Sequence, residues 1–246
     1  MIERQIDLRT KDGEMTTFIC HPERGGPHPA IILYMDGLGI REELRDMARR
    51  LSSAGYYVLL PNLYYRSGVL ELGDVGRPDT PEFKRMMALV SSLTIPMVMA
   101  DTQPLMDHLA KDPAASQGPM GAFGYCMSGQ HVVNAAAQFP GRIAAAASLY
   151  GVSLVTDSPD SPHLVAQRAK AEFYFGCAEK DRWAPLEMVE RLSRALKAAK
   201  VNAEVEIYPG VDHGFAFPQR AQLYDKPAAE RHWERLHALF QRNLKP

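Results

Sequence analysis

The sequence predicts an α/β protein with a mostly parallel sheet and helices on both faces. Short continuous apolar runs alternate with segments of helical periodicity almost from end to end, the pattern of successive β-α-β units. The strand candidates are apolar throughout rather than alternating, as a sheet covered on both sides requires. The 246 residues are 46% hydrophobic and 23% charged. Those are ordinary values for a globular chain able to bury a sizeable core without disulfide or metal staples.

The elements run in order along the chain. Residues 15–20 and 30–35 are apolar runs of strand length. Over residues 41–54 the positions Leu44, Met47, Ala48 and Leu51 share one helical face, and Gly55 stops the helix. A strand over 56–60 is closed by Pro61. Residues 74–95 are irregular and rich in Gly, Pro and Met, predicting a loop plus a short helix, a small insertion or cap within 66–97. Residues 98–111 are helical, with Pro104 inside as a kink point. A strand at 119–125 leads into a helix at 127–139, and a strand at 143–150 leads into a loop at 152–169. Strand 171–175, helix 186–199, strand 203–208 and a long last helix over 221–244 complete the chain. No linker-like stretch or repeat divides it, so 1–246 reads as a single domain.

Charge narrows the function. Lys and Arg total 28 against 29 Asp and Glu, a net charge of −1. No basic field is present for nucleic acid. No apolar run reaches membrane-spanning length, and the first residues lack a signal-peptide core. The cysteines are Cys20, Cys126 and Cys177, three in number. An odd set without a C-x-x-C pair reads as reduced thiols in a cytoplasmic protein. No phosphate-binding glycine loop or metal-ligand cluster is evident. The expectation is a cofactor-free protein, monomer or homodimer, acting on a small molecule.

The sharpest local signal is Gly124-Tyr125-Cys126-Met127-Ser128-Gly129, which lies after a strand and opens a helix. An α/β-hydrolase places its nucleophile on such a tight strand-to-helix turn. The helix dipole there favours thiolate over thiol. The plain alternative is a buried cysteine beside a glycine, about as common. The order of the later strands and loops shifts the balance. The fold needs an acid after a later strand and a histidine after the last one. Strand 171–175 runs into Gly176-Cys177-Ala178-Glu179-Lys180-Asp181, and strand 203–208 into Pro209-Gly210-Val211-Asp212-His213-Gly214-Phe215. Asp181 is the preferred acid and Glu179 its competitor. The other histidines lack strand-edge context, and no H-E-x-x-H spacing suggests a zinc hydrolase.

The sequence thereby resembles the dienelactone hydrolase family, the cysteine branch of the α/β-hydrolases, over nearly its whole length. The elbow stands where the family has G-Y-C-x-G-G, with Ser128 in place of a glycine. Asp212-His213-Gly214-Phe215 is similar to its G-H-x-F segment, Pro61-Asn62-Leu63-Tyr64 to P-D-L-Y, and Met35-Asp36-Gly37-Leu38-Gly39 to Q-E-x-x-G. The resemblance implies that Cys126 attacks an ester or lactone carbonyl, that His213 moves the proton and that Asp181 orients it. It implies backbone N–H groups of Met127 and Gly37 as oxyanion donors, and Asp36 as the acidic group that meets the resting thiol. Tyr64, Tyr125, Phe215 and Phe217 are implied around the pocket. The family's arginine four residues after the histidine is Phe217 here. Arg77, Lys84 and Arg85 are the remaining candidate anion-binding cations. A more neutral substrate is therefore expected. The competing readings are a thioesterase or phosphotriesterase using the same site, and a non-catalytic redox or covalent-ligand sensor built on Cys126.

Overall fold

The computed structural model describes residues 1–76 and 78–244. The chain divides into two compact units, residues 1–117 and 118–246.

The first unit carries strands β1 (Ile2–Thr10), β2 (Gly13–His21), β3 (Ala30–Tyr34) and β4 (Tyr57–Pro61), in the spatial order β1-β2-β4-β3. β1–β2 and β2–β4 are antiparallel; β3–β4 is parallel. β3 and β4 are buried at every residue, as their unbroken apolar runs require. β1 has no counterpart among the predicted strands. It alternates Arg4, Ile6, Leu8 and Thr10 with exposed polar residues, so it lacks the apolar run of a covered strand. Nine paired positions with β2 hold it instead.

Helix α1 (Glu42–Ser53) buries Leu44, Met47, Ala48 and Leu51, the face its periodicity marks, and packs on β2 and β4. The irregular stretch does contain a helix, α2 (Pro81–Ser92). Its Thr80 cap accepts the Phe83 N–H, and Pro81 occupies the first turn, where no N–H is needed. α3 (Ile95–Leu109) begins the same way with Thr94, earlier than predicted, and runs through Pro104. No single described helix is long and apolar enough to cross a membrane.

The second unit is regular. Strands β5 (Met120–Tyr125), β6 (Ile143–Leu149), β7 (Glu172–Ala178) and β8 (Ala203–Tyr208) lie in sequence order, all parallel. Helix α4 (Gly129–Gln138) packs on β5 and β6. A four-residue α5 (Pro162–Val165) interrupts the predicted loop. α6 (Leu186–Ala198) packs on β8, and α7 (Lys226–Asn243) on β6 and β7. The last helix starts five residues later than predicted. Asp225 accepts the Ala228 N–H and Pro227 comes next but one, so the chain is capped there. Parallel strands in register put the ends of β5, β7 and β8 on one edge. The loops that leave that edge carry Cys126, Asp181 and His213.

Candidate active site

Cys126 opens a 3-10 turn, Cys126–Ser128, that continues into α4, so the predicted helix begins as a tighter turn. Its φ is +55°, the left-handed region that a side chain enters only at a cost of about 1–2 kcal/mol. The Val152 N–H holds the Cys126 carbonyl at 3.1 Å. The turn also needs Gly129, since a Cβ there would stand 2.4 Å from Ser148 Oγ and 2.6 Å from the Gly151 Cα. The strained turn keeps the thiol partly exposed while Met127 and Ser128 are buried. Cys20 and Cys177 are buried, and burial pushes both thiols up to about 12.

Asp181 and His213 meet. His213 Nδ1 lies 2.7 Å from Asp181 Oδ2, with the carboxylate side chain fully buried. The other oxygen, Oδ1, accepts the Trp183 N–H at 2.8 Å and the Ala184 N–H at 3.1 Å, so the carboxylate cannot turn. Glu179 has a different duty. Its Oε2 accepts the Gly210 N–H at 2.6 Å, and the Lys180 N–H bonds to the Val211 carbonyl at 3.0 Å. The acid loop and the histidine loop are thus pinned to each other at two points. Glu179 is exposed and bonds to the Gly210 N–H, whereas Asp181 is the acid that lies at hydrogen-bond distance from His213.

Cys126 lies near enough to His213 to act on the charge of its imidazole. Burial pulls the imidazole's pKa down, but the proximity of Cys126 and the hydrogen bond that Asp181 accepts outweigh it and raise it to about 10. Tyr150, at φ +37°, presses an aromatic ring edgewise on the imidazole, with centroids 4.9 Å apart. A histidine held protonated above its ordinary value of about 6.5 stabilises the fold most below that value, and the contribution fades as pH rises through about 10. Denaturant midpoints of the native protein and His213→Asn should therefore differ most near pH 6 and converge toward pH 10. A gap that widens with pH would contradict this assignment.

Several predicted pocket residues are core instead. Phe215 and Phe217 have no accessible surface and Tyr125 none either. Their rings pack on Tyr150, and the Tyr125 hydroxyl meets His232 Nε2 at 3.0 Å. They support the histidine loop from below and offer a substrate no wall. Lys84 and Arg85 are exposed on α2. Arg77 lies outside the described residues. Arg220, which sequence reasoning missed, lies over the Phe217 ring at 5.6 Å. Its Nη1 lies 2.9 Å from where a Cβ on Gly214 would be. Seven residues past His213, it has no spacing that would have marked it.

In the first unit Asp36 and Gly37 follow β3 after Met35. Arg41 grips the Asp36 carboxylate with both terminal nitrogens, at 2.7 and 3.0 Å, and sends its Nε to Glu43 at 3.2 Å; all three are buried. Asp36 Oδ1 also accepts the Leu38 N–H at 3.0 Å. The Gly39 N–H bonds to the Asp36 carbonyl at 3.2 Å and the Ile40 N–H to the Leu70 carbonyl at 2.7 Å. Gly39 is obligatory, with φ +81° and the Leu70 carbonyl oxygen 2.4 Å from any Cβ. Tyr64 donates its hydroxyl to the Gly37 carbonyl at 3.0 Å. In this turn the Gly37 N–H alone has no acceptor among the described residues. The sequence marks Arg41 only as the start of an amphipathic helix.

Known proteins share this architecture. A crystal structure from Klebsiella pneumoniae subsp. pneumoniae MGH 78578, provisionally named a dienelactone hydrolase, superposes with a TM-score of 0.84 at 28% identity over 98% of both chains. Two relatives provisionally named carboxymethylenebutenolidase align over nearly the whole chain. The protein of Methylorubrum extorquens is 28% identical over 98% of this chain and 81% of its own. That of Escherichia coli K12 is 29% identical over 95% and 84%. A dienelactone hydrolase-like promiscuous phosphotriesterase from metagenomic libraries, 17% identical with a TM-score of 0.82 over 99% of both chains, shares the fold. The sequence profile of the dienelactone hydrolase family matches residues 15–244, from within β2 past the end of α7. Because that match takes in the elbow, the acid loop and the histidine loop together, the chain belongs to the dienelactone hydrolase family and is an α/β-hydrolase enzyme.

Proposed function

We propose that this protein hydrolyses small carboxylic esters or lactones through a thioester on Cys126. The observation that carries the reading is the His213 imidazole, whose Nδ1 lies 2.7 Å from buried Asp181 Oδ2 while the nearby Cys126 acts on its charge. With Nδ1–H committed to Asp181, Nε2 is left to exchange a proton with sulfur. The Cys126 sulfur attacks the acyl carbonyl, a C–S bond forms and the oxygen takes the charge. The backbone N–H of Met127, the residue after the nucleophile, is a donor to it in this reading, worth about 3–4 kcal/mol in the transition state. The C–O bond to the leaving alcohol breaks and His213 hands that oxygen its proton. Water, deprotonated by His213, then cleaves the thioester and releases the acid. A lactone takes the same course, with the alcohol still tethered.

The preferred substrate is neutral. Phe217 stands where the family's anion-binding arginine is expected, and Lys84 and Arg85 are solvated rather than built into a desolvated clamp. One observation favours a second reading: the Arg220 guanidinium beside Gly214 is a cation on the histidine loop. The test measures kcat/KM for a neutral aryl ester and an anionic lactone on the purified protein. A neutral preference of about tenfold or more is expected, the worth of roughly one unpaired charged contact. An anionic preference that disappears in Arg220→Gln would establish the second reading. A thioester and a phosphotriester in the same panel test the other chemistries. The fold shared with a phosphotriesterase does not by itself transfer that activity.

A further inference from the structure

The parallel sheet of the second unit ends on β8, which pairs with β7 alone among the described strands. The Phe173 N–H bonds to the Asn202 carbonyl at 2.8 Å and the Glu179 N–H to the Tyr208 carbonyl at 3.1 Å, one at each end of the pairing. A parallel ladder uses alternate residues, so Asn202, Glu204, Glu206 and Tyr208 turn their backbone groups to β7. Ala203, Val205 and Ile207 turn theirs outward. Such an outward row of N–H and C=O groups is a template for another strand, and proteins commonly blunt it with lysine, proline or a bulge. β8 holds no lysine or proline, and its whole length stays in register with β7.

The acids of β8 are neutralised by α7. Arg231 and Arg235 reach Glu206 at 2.8 and 2.7 Å, and Arg235 reaches Glu204 at 3.2 Å. The face toward α6 is apolar and incompletely covered. Ile207 is 44% exposed and Val205 half-buried. With Val189 they line a groove of about 270 Å³, room for aliphatic side chains rather than a water or two. Glu190 and Arg194 rim the groove from exposed positions on α6. They stand one helical turn apart, and among the described residues they pair neither with each other nor with any other charge.

We propose that β8 and α6 form a two-fold interface through which a second copy of this chain extends the sheet. The surface is complementary to itself. Laid antiparallel about an axis through Val205, two copies of β8 exchange both Val205 backbone bonds. Each Ala203 then stands against Ile207 of the other copy, a small residue beside a large exposed one. The same reversal carries each Glu190 toward Arg194 of the other copy. On the opposite face Glu204 meets Glu206 of the other copy, and each copy brings Arg231 and Arg235 to balance them. A contact of this kind is closed, so assembly stops at a dimer. One short strand and one helix from each copy make a small interface, so the dimer should dissociate near about 10 µM.

The experiment is sedimentation velocity on the purified full chain from about 1 to 100 µM. The native protein should shift from monomer to dimer across that range. Ile207→Lys places a charge at the centre of the contact and should weaken dimerisation at least about tenfold. Glu190→Arg and Arg194→Glu should each do the same, because like charges then face each other across the axis. An equimolar mixture of these two variants should regain the native dimer, since opposite charges are again matched. A general disturbance of α6 would not produce that rescue. All three positions are exposed, so melting temperatures should stay near the native value. If Ile207→Lys folds poorly, the reversal pair and its mixture still decide. A native protein that stays monomeric across the range overturns the proposal. So does a dimer that persists in Ile207→Lys, or a loss in the single reversals that mixing does not repair. No turnover is measured, so the outcome is independent of the reading of Cys126.

Discussion

Cys126→Ala should lower kcat/KM for ester hydrolysis by at least about 10⁴-fold while the protein keeps its fold. The size of the loss comes from the chemistry. Without the sulfur, no acyl intermediate forms, and what survives is the modest effect of binding and charge stabilisation on direct attack by water. The intact fold comes from the position. The thiol is partly exposed at the mouth of the turn, so its loss opens no core cavity. The backbone at φ +55° is equally strained for alanine, which leaves that cost unchanged. Initial rates on a neutral aryl ester and a thermal melt on the same samples check both halves. Turnover retained by the variant would place the nucleophile elsewhere.

The second large effect is expected at the acid. Asp181→Asn keeps the size of the side chain but offers His213 Nδ1 an amide group, which favours the wrong tautomer or the wrong rotation of the ring. The expected loss is about 10³- to 10⁴-fold in kcat. Glu179→Gln is the control: its contact is the Gly210 N–H, which a side-chain amide oxygen still accepts. Its kcat should stay within about threefold of the native value. Comparable losses in the two variants would mean that the acid's role is shared. A loss confined to Glu179→Gln would reverse the assignment.

Much of this site could be read from the chain itself. The elbow, the acid loop and the histidine loop each come after an apolar strand, and parallel strands put such loops on one edge by construction. That is why Cys126, Asp181 and His213 emerge from sequence order alone. What escaped has physical reasons. β1 carries a mixed polar face, so its signal lies in pairing rather than hydrophobicity. Tyr125, Phe215 and Phe217 sit beside candidate site residues in sequence, yet they are fully buried. The Arg41–Asp36 grip joins residues five apart across a turn and a helix start, a spacing with no periodic signature. Arg220 approaches Gly214 only because the segment after the histidine doubles back, with the Arg220 N–H on the Phe217 carbonyl at 3.0 Å.

The bonds from Glu179 to Gly210 and from Lys180 to Val211 carry an evolutionary corollary. Two segments stitched together in this way cannot lengthen or shorten independently: an insertion in one moves His213 away from Asp181 unless the other compensates. Variation in loop length is thereby steered toward segments that carry no such stitch.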